Sequence, residues 1–167
     1  MKKNFNLKNI IVTKKYKLNL LKKFLSNIKE NEFKVNKSIK NIPWKFLKIK
    51  KFKFYFIYFN DEIIGNMTIL DNLFNRHLYF LYINKDYRNK GIGNFLIKTK
   101  FIRGKKLKTV HVLKSLNKTL KFYKKFSFIK SKQNESKNVL KWITKCTKYD
   151  KNTFKDKHLI IKDFEAN

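Results

Sequence analysis

Leu78-Tyr79-Phe80-Leu81-Tyr82-Ile83 runs straight into Asn84-Lys85-Asp86-Tyr87-Arg88-Asn89-Lys90 and then into Gly91-Ile92-Gly93-Asn94-Phe95-Leu96. The first six residues have the length and composition of a buried strand. The polar stretch after them is a turn, and Ile92, Leu96, Ile97 and Phe101 then recur at helical spacing, which predicts an amphipathic helix over Gly91–Arg103. A strand that turns through glycines into a helix can seat an anion. Glycine lets the backbone approach a phosphate closely, and the unpaired N–H groups and positive dipole end of the helix point at it. Taken alone, an Arg-x-x-Gly-x-Gly string is equally compatible with a tight strand-to-helix turn that binds nothing.

Working outward, Asn9–Thr13 is expected to be a short first strand, and Leu18, Leu20, Leu21, Phe24, Leu25 and Ile28 mark one face of a first helix. A weaker helix is expected over Val35–Ile49, broken by Pro43. Phe52, Phe54, Phe56 and Tyr58 form one face of a strand, Asn60-Asp61 supplies a hairpin turn, and Glu62–Leu70 returns as its partner. A third strand starts near His77. Beyond the glycine turn and its helix come a strand over Leu107–Leu113, a helix over Asn117–Phe126, and a closing hairpin of Ser127–Ile129 with Val139–Ile143 around Gln133-Asn134-Glu135-Ser136. The order βααβββαβαββ predicts an α/β (α+β) fold: a mixed, mostly antiparallel sheet with helices on both faces. Residues 1–145 are expected to form one domain. Residues 146–167 read as a Lys-rich appendage, in which His158–Phe164 could add a strand.

With 43% hydrophobic residues, 17 Phe and 8 Tyr in 167 residues, the chain has apolar mass for a core and is not a disordered polybasic tail. The single thiol, Cys146, excludes an internal disulfide framework and a Cys-rich zinc site, and no metal is expected. The apolar run Ile10-Ile11-Val12 is too short for a secretion signal, and Phe54–Phe59 and Leu78–Ile83 are too short to cross a bilayer as helices. A cytoplasmic protein without membrane association is the expectation. The 42 Lys+Arg against 11 Asp+Glu leave a net charge of +31. Only Arg76, Arg88 and Arg103 are Arg, Asn is abundant and Ala occurs once, the pattern an A/T-rich coding sequence would give. The bidentate guanidinium fork favoured for phosphate and base recognition is therefore scarce. Whatever its origin, a field of this sign attracts anions and repels cations.

The segment from Ile83 to Leu96 resembles motif A of the GNAT superfamily, the acyl-CoA-dependent N-acetyltransferases, in which an apolar strand precedes Arg/Gln-x-x-Gly-x-Gly/Ala and a helix. Farther on, Asn117-Lys118-Thr119-Leu120-Lys121-Phe122-Tyr123-Lys124-Lys125-Phe126-Ser127-Phe128 is similar to motif B of the same family, an Asn followed by a helix ending in Phe-Tyr and then Gly-Phe. The hairpin at Asn60-Asp61, with Gly65 beyond it, and the closing hairpin also fit the family. The sequence departs from the pattern in three places. Lys85 stands where the family usually has Pro, Ser127 where it has Gly, and Asn117 lies one residue closer to the Tyr than is usual.

What the resemblance implies is a V-shaped opening between the strand ending at Ile83 and the strand through Val110, entered by the pantetheine arm of acetyl-CoA. Backbone groups at Tyr82 and Ile83 would bind that arm and polarise the thioester carbonyl. The N–H groups across Arg88, Asn89, Lys90, Gly91, Ile92, Gly93 and Asn94 would hold the pyrophosphate. Asn117 and Phe122 would also touch the cofactor. Tyr123 would be the general acid that protonates the departing thiolate. No carboxylate lies on Leu78–Ile83 to serve as the base that some members carry there. Asp71, Glu62, His77 and His111 stand nearby in sequence or on the adjacent strand, and none is singled out.

The implied activity is acetyl transfer from acetyl-CoA to a primary amine. The charge favours a neutral or anionic acceptor such as a peptide, a ribosomal protein or aminoacyl-tRNA, because eleven carboxylates serve the whole chain and the field repels polycations. The alternative is a GNAT-fold RNA- or ribosome-binding module with little catalysis, in which the Lys-rich surface is the working part. The oligomeric state is not legible.

Overall fold

The computed structural model of the chain describes residues 5–31, 47, 50–113, 117–147 and 158–163. The chain divides into two compact units, residues 1–71 with 79–103 and residues 72–78 with 104–167.

The first unit begins with a 3-10 turn at Leu7–Asn9, capped by the Asn6 side chain, which accepts from the Lys8 N–H at 2.9 Å. Strand β1 (Ile11–Thr13) and helix α1 (Leu18–Asn31) follow. Leu21, Phe24 and Ile28 recur at three- and four-residue spacing and are all buried, so the predicted stripe is the face that packs inward, whereas Leu18 at its start is exposed. Strands β2 (Phe52–Phe59) and β3 (Glu62–Asp71) are the predicted hairpin. Its turn residues Asn60 and Asp61 both take positive φ, 48° and 59°, the backbone of a two-residue turn whose twist matches the strands. The ladder runs from Phe59↔Glu62 to Phe52↔Leu70, with Ile64 as an extra residue between the pairs Tyr58↔Ile63 and Ile57↔Gly65. Strand β1 pairs antiparallel with the other edge of β2. β4 (Asn75–Ile83) runs beside β3 and contributes Tyr79–Ile83 to this unit.

Helix α2 (Ile92–Leu96) opens at the glycines and continues as a π-turn over Ile97–Phe101, closed by the Ile102 N–H on the Ile97 carbonyl at 3.0 Å. The Thr99 hydroxyl takes the Phe95 carbonyl at 2.7 Å, an alternative partner that loosens the regular ladder there. Ile92, Leu96, Ile97 and Phe101 are all buried, as their spacing predicts.

In the second unit the first residues of β4 pair in parallel with β5 (Leu107–Leu113), from Asn75↔Leu107 to Leu78↔Val110. Helix α3 (Asn117–Lys124), strand β6 (Phe128–Lys130), helix α4 (Gln133–Thr147) and strand β7 (His158–Asp163) complete it. β7 runs antiparallel to both β5 and β6, and the strand order is β4-β5-β7-β6. The architecture is thus mixed α/β with mostly antiparallel pairing.

One expectation needs correction. The closing hairpin is not formed: Gln133-Asn134-Glu135-Ser136 starts α4 instead of turning a hairpin, and Val139 and Ile143 are buried four residues apart on one helix face. The strand that His158–Phe164 could add is present over residues 158–163, in the sheet of this unit. The helix expected over Val35–Ile49 lies outside the described residues, Leu47 excepted. Among the described residues no helix is long and apolar enough to cross a membrane.

Ser127 closes α3 with φ of 63°, its N–H on the Lys124 carbonyl at 3.1 Å, beside the Phe126 N–H on the Tyr123 carbonyl at 2.9 Å. A left-handed residue just past a helix is the position glycine fills without strain, whereas a Cβ there costs about 1–2 kcal/mol. Ser127→Gly is expected to raise stability by about 0.5–1 kcal/mol, the part left after glycine's greater unfolded-state entropy. A rise of roughly 1–4 °C in thermal midpoint checks it.

Candidate active site

The end of β4 is fastened from several sides. Tyr82 is buried, edge-on to Phe24 of α1 at 5.7 Å between centroids and stacked on Phe80 at 6.4 Å. On β3, a Cβ added at Gly65 would meet the Tyr82 carbonyl oxygen at 2.7 Å and Ile83 Cδ1 at 2.8 Å, so only glycine lets the two strands come this close. One residue back on β3, the Ile64 carbonyl accepts the Asn84 N–H at 2.8 Å.

From that point the chain makes a 3-10 turn over Lys85–Tyr87, with the Tyr87 N–H on the Asn84 carbonyl at 2.9 Å and the Arg88 N–H on the Lys85 carbonyl at 3.2 Å. Arg88 folds back: its Nε donates to the Ile83 carbonyl at 2.8 Å and its guanidinium lies 5.5 Å from the centre of the Tyr82 ring. Both the N–H and the side chain of Arg88 are therefore engaged within the protein, and its visible work is to tie the turn to the strand end.

Asn89 and Gly91 then take left-handed conformations, φ 60° and 80°, and Gly91 is the N-cap of α2. The Phe95 N–H closes on the Gly91 carbonyl at 3.0 Å, so the N–H groups of Ile92, Gly93 and Asn94 are helix-start donors that lack an intrahelical acceptor by construction. Asn89, Lys90 and Asn94 are exposed.

Beneath the turn lies a cluster that sequence inspection missed. The rings of Phe5, Phe59 and Tyr87 lie 5.2, 5.6 and 5.9 Å apart pairwise, and the Lys90 ammonium sits 4.9 Å from the Phe5 centroid and 5.2 Å from that of Tyr87. Gly65 could have been suspected as a lone glycine inside a strand of large residues. Phe5 gives no such signal.

The other candidates belong to the second unit. Tyr123 is buried, with its ring edge-on to Phe122 at 5.1 Å and to Phe128 at 5.7 Å. Burial pushes its phenol well above the usual range, so it is protonated throughout the physiological range. Phe122 also meets Phe126 at 5.3 Å. Asn117 is the exposed first residue of α3. Six residues before Tyr123, it points about 120° away from it around a regular helix.

The groups considered as bases are occupied by structural work. Asp71 is buried and paired with Lys53 at 2.5 Å, and Glu62 pairs with Lys23 at 3.0 Å in the open. His77 is 1% exposed, with Nδ1 2.8 Å from the Thr109 hydroxyl, and burial lowers its pKa to about 3. It is a neutral ring in the core. The His111 backbone pairs with Ile160 on β7. Among the described residues no group of three or more His, Cys, Asp or Glu side chains is placed to hold a metal ion.

Residues 50–130 match the family model described as the acetyltransferase (GNAT) domain, which supports membership of the GNAT superfamily. Solved structures share the fold at low identity. A GNAT-family acetyltransferase from Elizabethkingia anophelis, determined with acetyl-CoA bound, superposes with a TM-score of 0.55 at 13% identity, over 93% of this chain and 97% of that one. The N-acetyltransferase PseH of Campylobacter jejuni gives 0.59 at 16% identity, over 95% and 99%. A GNAT-family acetyltransferase from Staphylococcus aureus gives 0.60 at 15% identity, over 92% and 98%. A search of curated protein sequences yields no significant match.

The neutral His77 has a consequence for stability. Its folded pKa of about 3 lies below the unfolded value of 6.5, so below pH 6.5 the unfolded chain takes up a proton that the folded chain refuses. Stability from this group is full above pH 6.5 and falls as pH drops toward 3, by up to about 1.4 kcal/mol per pH unit. Urea unfolding at pH 7.5 and 5.0 is expected to show the loss, and His77→Gln to show a shallower one.

Proposed function

We propose that the protein transfers an acetyl group from acetyl-CoA to a primary amine on a neutral or anionic acceptor. The observation that carries this is the turn from Ile83 to Asn94, whose left-handed Asn89 and Gly91 lead the backbone into a helix start fastened to the sheet through Arg88 and Asn84. A backbone so arranged suits a pyrophosphate, with the donors of Asn89 to Asn94 directed at it. Strand residues Tyr82 and Ile83 hold the pantetheine arm and polarise the thioester carbonyl. Phe122 packs on the cofactor, with Asn117 at its margin.

In the reaction the amine nitrogen attacks the thioester carbonyl carbon, the C–S bond breaks, and the proton on Tyr123 Oη passes to the departing sulfur. The proton shed by the amine goes to water, from which the tyrosinate is reprotonated. Burial keeps the phenol protonated but also makes it a weaker acid than an exposed tyrosine, so the role rests on the resemblance of residues 117–128 to motif B. Asp71 is buried against Lys53 and His77 is a core ring, so neither is assigned as the base, and water serves as the amine's proton acceptor in this reading.

The charge bears on the acceptor. At +31, the protein concentrates anions around itself, which suits an amine carried on RNA or on an acidic peptide better than a polyamine. The same charge is what favours the second reading, a GNAT-fold module that binds RNA or the ribosome with little catalysis.

Calorimetric titration with acetyl-CoA separates the two readings. Binding is expected in the wild type and its collapse in folded Gly93→Asp, which sets a carboxylate among the helix-start donors; unchanged affinity in that variant would place the phosphates elsewhere. Tyr123→Phe keeps the ring and removes the proton, so with chemistry rate-limiting it is expected to lower turnover about 10²- to 10⁴-fold. Acetyl-CoA affinity should barely change, and an unaltered turnover would assign the proton to water.

A further inference from the structure

We propose that Phe5 is a positioning residue for cofactor binding: residues 5–9 form a strap that holds the glycine turn in its anion-binding shape and keeps the Lys90 ammonium beside it. The inference rests on the acetyl-CoA reading above and names a part of the chain that touches no ligand.

Three observations within the first unit converge on it. The strap is itself rigid, because the Asn9 N–H bonds to the Asn6 carbonyl at 3.0 Å, the Ile10 N–H to the Leu7 carbonyl at 3.2 Å, and the Asn6 side chain caps the Lys8 N–H. From it Phe5 reaches Phe59 of β2 and Tyr87 of the turn, which ties the turn to the sheet through an aromatic triangle. Leu7 meets the turn at a second point, with its Cδ1 3.1 Å from where a Cβ on Gly91 would stand.

The chemistry gives these contacts a purpose. Lys90 lies between two left-handed residues, Asn89 and Gly91, on an exposed turn. Its side chain is long and flexible, and ordering it around an anion costs conformational entropy at the moment of binding. Two ring faces within 5.2 Å of the ammonium restrict it beforehand, next to the donors of the helix start. An aromatic ring is needed for this, because an aliphatic side chain offers no negative face to the cation.

The test compares two acetyl donors on the full chain: acetyl-CoA, and acetyl-pantetheine, which has the same thioester and arm but no phosphate. Phe5→Ala is expected to raise KM and Kd for acetyl-CoA by roughly three- to thirty-fold, the span that a lost cation–π contact and a loosened turn can reach. Turnover at saturating acetyl-CoA should hold, kcat/KM for acetyl-pantetheine should not move, and Phe5→Tyr should restore acetyl-CoA affinity. In Lys90→Gln the further change Phe5→Ala should have a much smaller effect, since the two act through one contact. Where Phe5→Ala does not fold, Phe5→Leu keeps the apolar bulk and loses the ring face, with the same expectation. Equal losses on both donors would make Phe5 a general prop of the fold and overturn the proposal, as would unchanged acetyl-CoA affinity. A wild-type protein that binds neither donor would instead overturn the functional reading itself.

Discussion

Where β3 passes the end of β4, the backbones approach so closely that a methyl group on Gly65 would collide with the Tyr82 carbonyl at 2.7 Å. The absence of a side chain there fixes the strand end, and the remaining contacts follow from that fixed point. Tyr82 can lie under the Phe24 ring, the Ile64 carbonyl can take the Asn84 N–H, and Arg88 can return to the Ile83 carbonyl. The turn thus leaves the sheet in one direction, and α2 is anchored behind it by four buried apolar residues. The sheet holds the helix-start donors in a fixed place.

Two of the buried or part-buried lysines have partners: Lys53 is paired with Asp71, and the Lys108 ammonium donates to the Gly104 carbonyl. The buried imidazole stays neutral. Exposed charge costs little to the fold but adds mutual repulsion that salt screens. A surface of this kind alters which molecules gather near the protein without altering the chemistry within it.

The elements that could be read from the sequence are those whose signal is local. The Asn60-Asp61 hairpin, β5 and the buried face of α2 declare themselves through a turn pair or a periodic stripe, and the glycine turn stands out because glycine is rare in this chain. The order of the two motifs points to the superfamily. What escaped depends on partners distant in sequence. Val139 to Ile143 fits a short strand as well as a helix face, because residues four apart share a face in both, and the backbone makes it helix. Phe5 is one aromatic among many until the fold sets it against Tyr87. The inward turn of the Arg88 side chain onto the Ile83 carbonyl and the Tyr82 ring likewise carries no signal in the sequence.

The insertion of β7 between β5 and β6 also governs the order in which the second unit can be completed. β5 finds its β4 neighbour early in synthesis, but its other edge has no partner until residues 158–163 have been made, after α3, β6 and α4 have already emerged. During that interval Leu107–Leu113 presents an open row of backbone donors and acceptors, the kind of edge along which nascent chains join one another. The sheet is sealed by a strand delivered late. Growth temperature and chaperone supply should accordingly govern the yield of folded protein more than its final stability does, and a cut or fusion just before His158 would leave a unit with its central gap unfilled.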